Sequence, residues 1–125
     1  VPLYCTTHGP RAAAMAERIS NTRSAAGVAL WEADLEGGLA VFGNAPTALF
    51  YCLEQIAAGA LPKPAALIGL PVGFVGAAES KDALVEHAAD LGLPFLTLRG
   101  RMGGSAMASA VVNALAKMLA DEALA

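Results

Sequence analysis

Ala65-Ala66-Leu67-Ile68-Gly69-Leu70-Pro71-Val72-Gly73-Phe74-Val75-Gly76 is the stretch that decides the fold. From Ala65 to Leu70 it is apolar at every position, with no alternation of polar and apolar residues. Such a run reads as a strand buried on both faces, as in a parallel sheet with helices above and below. Pro71, Gly73 and Gly76 then end the strand and make a loop. The uncharged stretch from Pro64 to Ala78 is too short and too broken by Gly and Pro for a membrane span, which needs roughly 20 continuous apolar residues.

Working outward, strands are expected at Pro2–Thr6, Leu39–Phe42 and Pro94–Leu98, with Ala65–Leu70 between the last two. The intervening segments repeat their apolar residues with a period near 3.6 and predict helices over Arg11–Ile19, Arg23–Leu35, Pro46–Ala58, Gly76–Leu91 and Ser105–Ala120. Asn44 is the expected N-cap of the third helix, Pro46 suits its first turn and Gly59 its end, and Gly92 stops the fourth. On the last helix Met107, Val111, Leu115 and Met118 form an apolar stripe, and Ser105, Ser109, Asn113 and Lys117 a polar one. Trp31 and Tyr51 read as packing residues. Alternating strands and helices with short connections give an α/β fold with a parallel sheet. No internal repeat and no linker interrupts residues 1–125.

The chain has 125 residues, the size of one domain; 56% are hydrophobic and 15% charged. This excludes disorder and predicts buried strands together with an oligomer interface. The formal net charge of −3 argues against a nucleic-acid partner. There is no signal-peptide pattern, which suits a cytoplasmic protein. The sequence begins at Val1 and runs almost at once into a strand-like segment, so elements upstream are expected. Cys5 and Cys52 read as two buried thiols without metal-ligand spacing.

In an open α/β sheet, ligands bind at the C-terminal ends of the strands. Here those ends read Thr6-Thr7-His8-Gly9-Pro10, Gly43-Asn44-Ala45-Pro46-Thr47, Gly69 to Gly76, and Arg99-Gly100-Arg101-Met102-Gly103-Gly104-Ser105. Arg99 and Arg101 offer forked donors, and the N–H groups of Gly103, Gly104 and Ser105 open a helix, a combination suited to carboxylates or phosphates. Asn44 and Thr47 make a weaker site of the same kind, and Lys81 and Arg23 add charge. Each signal has a plainer rival. A Gly-rich loop is often just a tight turn, Asn44 a cap, and one of the two alternating arginines can face solvent. Glu79 early in a helix is favourable electrostatically without any catalytic role. His87 reads as an exposed mid-helix residue, and His8 is a weaker functional candidate at a strand end. No loop is a Walker A sequence or a Gly-x-Gly-x-x-Gly dinucleotide site, and no nucleophile–base pair or metal cluster can be assigned. A polyanionic ligand is the expectation.

The same segments carry a family resemblance. Asn21-Thr22-Arg23-Ser24-Ala25-Ala26, Gly43-Asn44-Ala45-Pro46-Thr47-Ala48-Leu49-Phe50, Gly69 through Lys81, and Arg99-Gly100-Arg101-Met102-Gly103-Gly104-Ser105 resemble, in order, the blocks of the precorrin isomerase (precorrin-8X methylmutase) family of vitamin B12 biosynthesis. The resemblance covers about Val1 to Leu119, and residues 1–125 are identified as the C-terminal portion of a single such domain. It implies a flavodoxin-like three-layer α/β/α fold, incomplete at the N-terminus, and a homodimer or an assembly with an N-terminal segment. It implies an isomerase that moves a methyl group from C-11 to C-12 of a carboxylate-rich tetrapyrrole, giving hydrogenobyrinic acid or its cobalt equivalent, without a cofactor or metal. Substrate contacts are implied at Thr22, Arg23, Ser24, Asn44, Pro46, Thr47, Glu79, Ser80, Lys81, Arg99, Arg101, Gly103, Gly104 and Ser105. The family's proton donor is a His in the N-terminal half, so no catalytic residue is expected in this chain, which by itself is expected to be inactive. The alternatives are a non-catalytic module that keeps the tetrapyrrole or anion cradle, and a flavodoxin-like flavin or nucleotide binder. The last is weakened by Phe74 being the sole aromatic residue in the strand-end loops.

Overall fold

The computed structural model describes residues 4–7, 9–73 and 75–124, the side chains of 123 and 124 excepted. Its elements are α1 (Pro10–Ile19), α2 (Arg23–Ala29), a 3-10 turn (Glu32–Leu35), β1 (Leu39–Phe42), α3 (Pro46–Ala57), β2 (Ala66–Gly69), α4 (Ala77–Leu91), β3 (Phe95–Thr97) and α5 (Ser105–Leu124). The strands form one parallel sheet in the order β1-β2-β3, with Leu39 opposite Ala66 and Leu67 opposite Phe95. This is a three-layer α/β arrangement with an incomplete sheet.

β2 lies in the middle, and its two faces feed two cores. Leu67 joins Ala40 and Phe42 of β1 against Leu49, Cys52, Leu53 and Ile56 of α3 and Leu84 and Ala88 of α4. Ile68 and Leu70 face the other way, against Ala108, with Met107, Val111 and Val112 of α5 packed around them. Burial on both faces is why the run from Ala65 onward carries no polar residue. Gly69 is part of the same design. A Cβ there would lie 2.8 Å from Leu84 Cδ2 and 3.4 Å from Leu49 Cδ2, so its absence lets α3 and α4 close onto the sheet.

Three expectations are corrected. The proposed strand Pro2–Thr6 falls partly outside the described residues, and Tyr4, Cys5 and Thr6 carry no strand. This segment rests on α2 instead of pairing with β1: Thr6 Oγ1 donates to the Gly27 carbonyl at 2.5 Å, and a Cβ on Gly27 would meet Thr6 at 3.3 Å. Cys5, expected buried, is consequently exposed, whereas Cys52 is buried. The single helix expected over Arg23–Leu35 is broken. Trp31 N–H bonds to Val28 O at 3.0 Å, a three-residue step, and Glu32 takes a left-handed φ of 46°. Glu32, Ala33 and Asp34 are all exposed, so a continued α-helix would bury nothing there, and packing is what normally sustains a short helix. Trp31 instead turns its ring onto Phe42, with centroids 5.6 Å apart.

The N-cap of α3 is Ala45, without a side-chain cap bond, one residue later than expected. Asn44 is held in the preceding loop, where its carbonyl accepts Val72 N–H at 3.2 Å. The other predicted ends hold: Pro46 opens α3 and Gly92 caps α4 with φ 62°.

Burial pushes the Cys52 thiol up to about 12, because a thiolate cannot be solvated in the core. A thiol reagent at pH 8 should therefore modify Cys5 alone in the native protein. Denaturant should expose the second group. Two fast-reacting thiols under native conditions would contradict this core.

Candidate functional site

The C-terminal ends of the strands are joined by backbone hydrogen bonds into one continuous edge. Beyond the β1–β2 ladder, Leu70 N–H donates to Phe42 O at 2.7 Å and Val72 N–H to Asn44 O at 3.2 Å. From β3 the chain does not return beside its own strand. Residues 99–104 run across the end of β2 as a strap and deliver α5 to the end of β1. Gly73 N–H donates to Arg101 O at 3.3 Å, and Gly104 N–H to Leu70 O at 2.9 Å.

Two motif glycines make this crossing possible by close approach. A Cβ on Gly103 would lie 2.3 Å from Leu70 O and 2.6 Å from Pro71 O. A Cβ on Gly43 would lie 2.8 Å from the Ser105 Cα. Position 103 therefore presses the strap onto the β2 end, and position 43 seats the first turn of α5 on β1. The sequence suggested ligand approach for these glycines; the structure supplies a packing reason for both.

Helix starts converge around the strap. Thr22 caps α2 by accepting Ala25 N–H at 3.1 Å, and its hydroxyl lies 2.9 Å from that of Thr47 in the first turn of α3. This contact brings Thr22, Arg23 and Ser24 to the strand-end edge, a placement that sequence gave no way to find. Pro46, opening α3, lies 3.3 Å from where a Cβ of Gly76 would stand, so α3 and α4 also begin side by side. Helix N-termini carry partial positive charge, and Arg23, Arg99 and Arg101 stand exposed on the same edge.

The expected site residues do not all face outward. Thr22, Arg23, Asn44, Thr47, Glu79, Arg99, Arg101 and Ser105 are exposed, and Ser24, Pro46, Gly103 and Gly104 are half-buried. Ser80 and Lys81 are fully buried. Ser80 Oγ donates back to Ala77 O at 2.8 Å. Lys81 reaches beneath the strap and its Nζ donates to Gly100 O at 2.9 Å and to Met102 O. Desolvation pulls its pKa below the usual lysine range. Arg99 Nε lies 3.5 Å from Asp82 Oδ1, in an exposed pair of small energetic weight. Phe74 and His8 lie outside the described residues. His87 is exposed beside Glu86, on the middle of α4.

A cavity of about 170 Å³ opens beside this edge, lined by Thr7, Ser24, Trp31, Gly43, Asn44 and Ala45 among others. A larger cleft of about 380 Å³ lies at the opposite end of α3, among Glu32, Glu36, Tyr51, Gln55 and Leu61. Its charged groups are carboxylates, the wrong sign for a polyanion. Among the described residues no cluster of His, Cys, Asp or Glu is arranged to hold a metal ion. The strand-end edge thus gathers the starts of α2, α3, α4 and α5 beside three exposed arginines.

A sequence model described as "Precorrin-8X methylmutase" matches residues 1–118. The chain is 58% identical over 115 residues to the precorrin-8X methylmutase of Sinorhizobium sp, covering 92% of this chain and 53% of that protein. It is 56% identical to the enzyme of that name from Pseudomonas aeruginosa, covering 91% and 53%. It is 45% identical to the cobalt-precorrin-8 methylmutase of Salmonella typhimurium, covering 89% and 49%. The solved precorrin-8x methyl mutase of Thermus thermophilus superposes with a TM-score of 0.76 at 35% identity, over 94% of this chain and 54% of that one. The chain thus spans about half the length of these relatives.

The close approaches yield a stability test. Gly103→Ala should cost roughly 3 kcal/mol or more, because backbone on both sides of the contact must move. Gly59→Ala meets open space and only the strain of its φ of 76°, so it should cost about 1–2 kcal/mol. Equal losses in urea denaturation would mean that the strap does not sit on Leu70 and Pro71.

Proposed function

The chain belongs to the precorrin-8X methylmutase family, and we propose that its strand-end edge is the carboxylate cradle of an isomerase of cobalamin biosynthesis. In this reading a methyl group moves from C-11 to C-12 of precorrin-8X, giving hydrogenobyrinic acid, or does so in the cobalt-containing equivalent. The observation that carries the proposal is the convergence of the four motif blocks on one edge, through the Thr22–Thr47 contact, the Asn44–Val72 and Gly73–Arg101 hydrogen bonds and the Gly43–Ser105 approach. These tetrapyrroles carry acetate and propionate groups around their rim. Separated donors on a rigid edge suit such a ligand better than a single phosphate cradle does.

Arg23, Arg101 and the helix starts of α3 and α5 bind and orient the substrate carboxylates. Arg99, through its pair with Asp82, sits at the flank. The migration is intramolecular, so positioning the ring and placing one proton are the main demands on the protein. The proton donor then belongs to the N-terminal part of the enzyme, and no residue on this edge serves as the acid. In the same reading the protein works in the cytoplasm as a homodimer, or this part assembles there with an N-terminal segment. No helix among the described residues is long and apolar enough to cross a membrane.

Titration with hydrogenobyrinic acid tests the cradle. Arg101→Ala should weaken binding about ten- to hundredfold, the equivalent of roughly 1.5–3 kcal/mol for a charge-assisted hydrogen bond. Arg101→Lys should recover only part of it, since the ammonium lacks the forked geometry. Arg23→Ala should weaken binding with little change in Tm, given its exposure. Unchanged affinity in both alanine variants would overturn the cradle.

A conversion assay with precorrin-8X tests the division of labour. The 125-residue chain alone should show almost no turnover, because a positioned proton donor contributes about 10²–10⁴ in rate. Adding the N-terminal segment should restore it. Full turnover by the chain alone would place the acid among its own residues.

A further inference from the structure

Lys81 has no exposed surface. It projects from the second turn of α4, and its ammonium donates to the carbonyls of Gly100 and Met102. Those two peptide units bracket Arg101, on a strap whose Arg101 and Met102 side chains are exposed on the outer side. In a trans peptide the C=O of one residue and the N–H of the next point in opposite directions. Drawing the Gly100 and Met102 carbonyls inward therefore turns the Arg101 and Gly103 amides outward. The clamp thereby fixes which face of each of these two peptide units looks away from α4. The glycines at 100, 103 and 104, with φ of 94° at 100 and 123° at 104, let the backbone take up this path.

The geometry points to Lys81 as a positioning residue: its buried ammonium clamps two strap carbonyls from beneath and so holds the strap in its anion-accepting conformation, without touching the ligand itself. This rests on the reading of the edge as a carboxylate cradle and changes the part Lys81 plays in it. A lysine in direct contact with a carboxylate would present its Nζ outward. Here the side chain runs inward and at least two of its three N–H donors are engaged by carbonyls.

Two measurements on the purified protein separate the clamp from the cradle. The first needs no ligand. Amide hydrogen exchange at Gly73 and Gly104, whose N–H groups bond to Arg101 O and Leu70 O, should accelerate about tenfold or more in Lys81→Met, while amides within α3 keep their rates. Unchanged exchange at Gly73 and Gly104 would overturn the clamp. The second is a double-mutant cycle in hydrogenobyrinic acid affinity. Lys81→Met should weaken binding, and with Arg101→Ala the combined loss should be smaller than the product of the single losses, because both act through one strap. Losses that multiply in full would mean that Lys81 contacts the ligand independently. A fall in Tm with unchanged affinity would reduce it to a core residue. Either result overturns the proposal. Should Lys81→Met not fold, Lys81→Gln, which keeps an N–H donor without the charge, carries the same two tests. Failure of the wild-type protein to bind the corrinoid would sink the cradle, and the exchange result would still decide the clamp.

Discussion

Residues 99–104 cross the end of β2 in direct backbone contact, with the Gly103 Cα so near the Leu70 and Pro71 carbonyls that no side chain fits between them. Much of the C-terminal edge follows from that approach. It delivers α5 to β1, although α5 follows β3 in the chain. It leaves Leu70 with two roles, its side chain in the α5 core and its carbonyl accepting Gly104 N–H at 2.9 Å. It also fixes which side of the strap faces outward. A residue with a Cβ at 103 would lift the strap, and Gly43 would then lose the reason for its own close contact with Ser105. Beside the exposed arginines, the groups that converge here are backbone amides and helix starts, whose spacing is set by the sheet and not by side-chain rotamers.

Beneath the strap lies an unusual choice for a core position. An ammonium removed from water is penalised by several kcal/mol, and its two bonds run to neutral carbonyls. Hydrogen bonds to a charged group contribute roughly 1.5–3 kcal/mol each, so the two together are of the same size as the penalty. An apolar side chain would avoid the penalty but would leave the Gly100 and Met102 carbonyls without this donor. What the ammonium adds is direction: it attracts carbonyl oxygens and turns the following amides away. An apolar residue has no preference between the two faces of a peptide.

The sequence made the architecture readable where a local rule acted alone. The apolar run at Ala65–Leu70 marked the central strand because burial on two faces removes alternation. Gly92 marked the end of α4 because only a left-handed residue closes it there. Reading failed where distant backbone decided the outcome. Nothing near Lys81 tells that it points inward, since it stands between Ser80 and Asp82 in a helix with charged neighbours. Nothing near Thr22 tells that its hydroxyl meets Thr47. Asn44 looked like a cap because it stands next to a helix start, yet its backbone is engaged by Val72. The strand expected at Pro2–Thr6 has the composition of one, but Thr6 is held by α2, and at residues 4–6 the ladder is not joined.

The α5 stripe shows how a correct period can still mispredict burial. Met107 and Val111 are half-buried on Ile68 and Leu70, while Leu115 is 37% and Met118 65% exposed. The reason is length. Strands of four residues span about 13 Å, whereas the 20-residue α5 runs about 30 Å, so its second half overhangs the sheet. Leu39, Leu96 and Leu98 are exposed as well; Leu96, opposite Ile68, belongs to the α5 face. The face under α3 and α4 is closed over β1 and β2, where Gly69 lets both helices approach closely, and opens only toward β3, where Phe95, opposite Leu67, is 40% exposed. The open side begins where α5 leaves the sheet, beyond Val112, at the far end of the helix from Ser105. Leu115, Met118 and Leu119 therefore stand on the overhanging half of α5, away from the turn that carries Ser105.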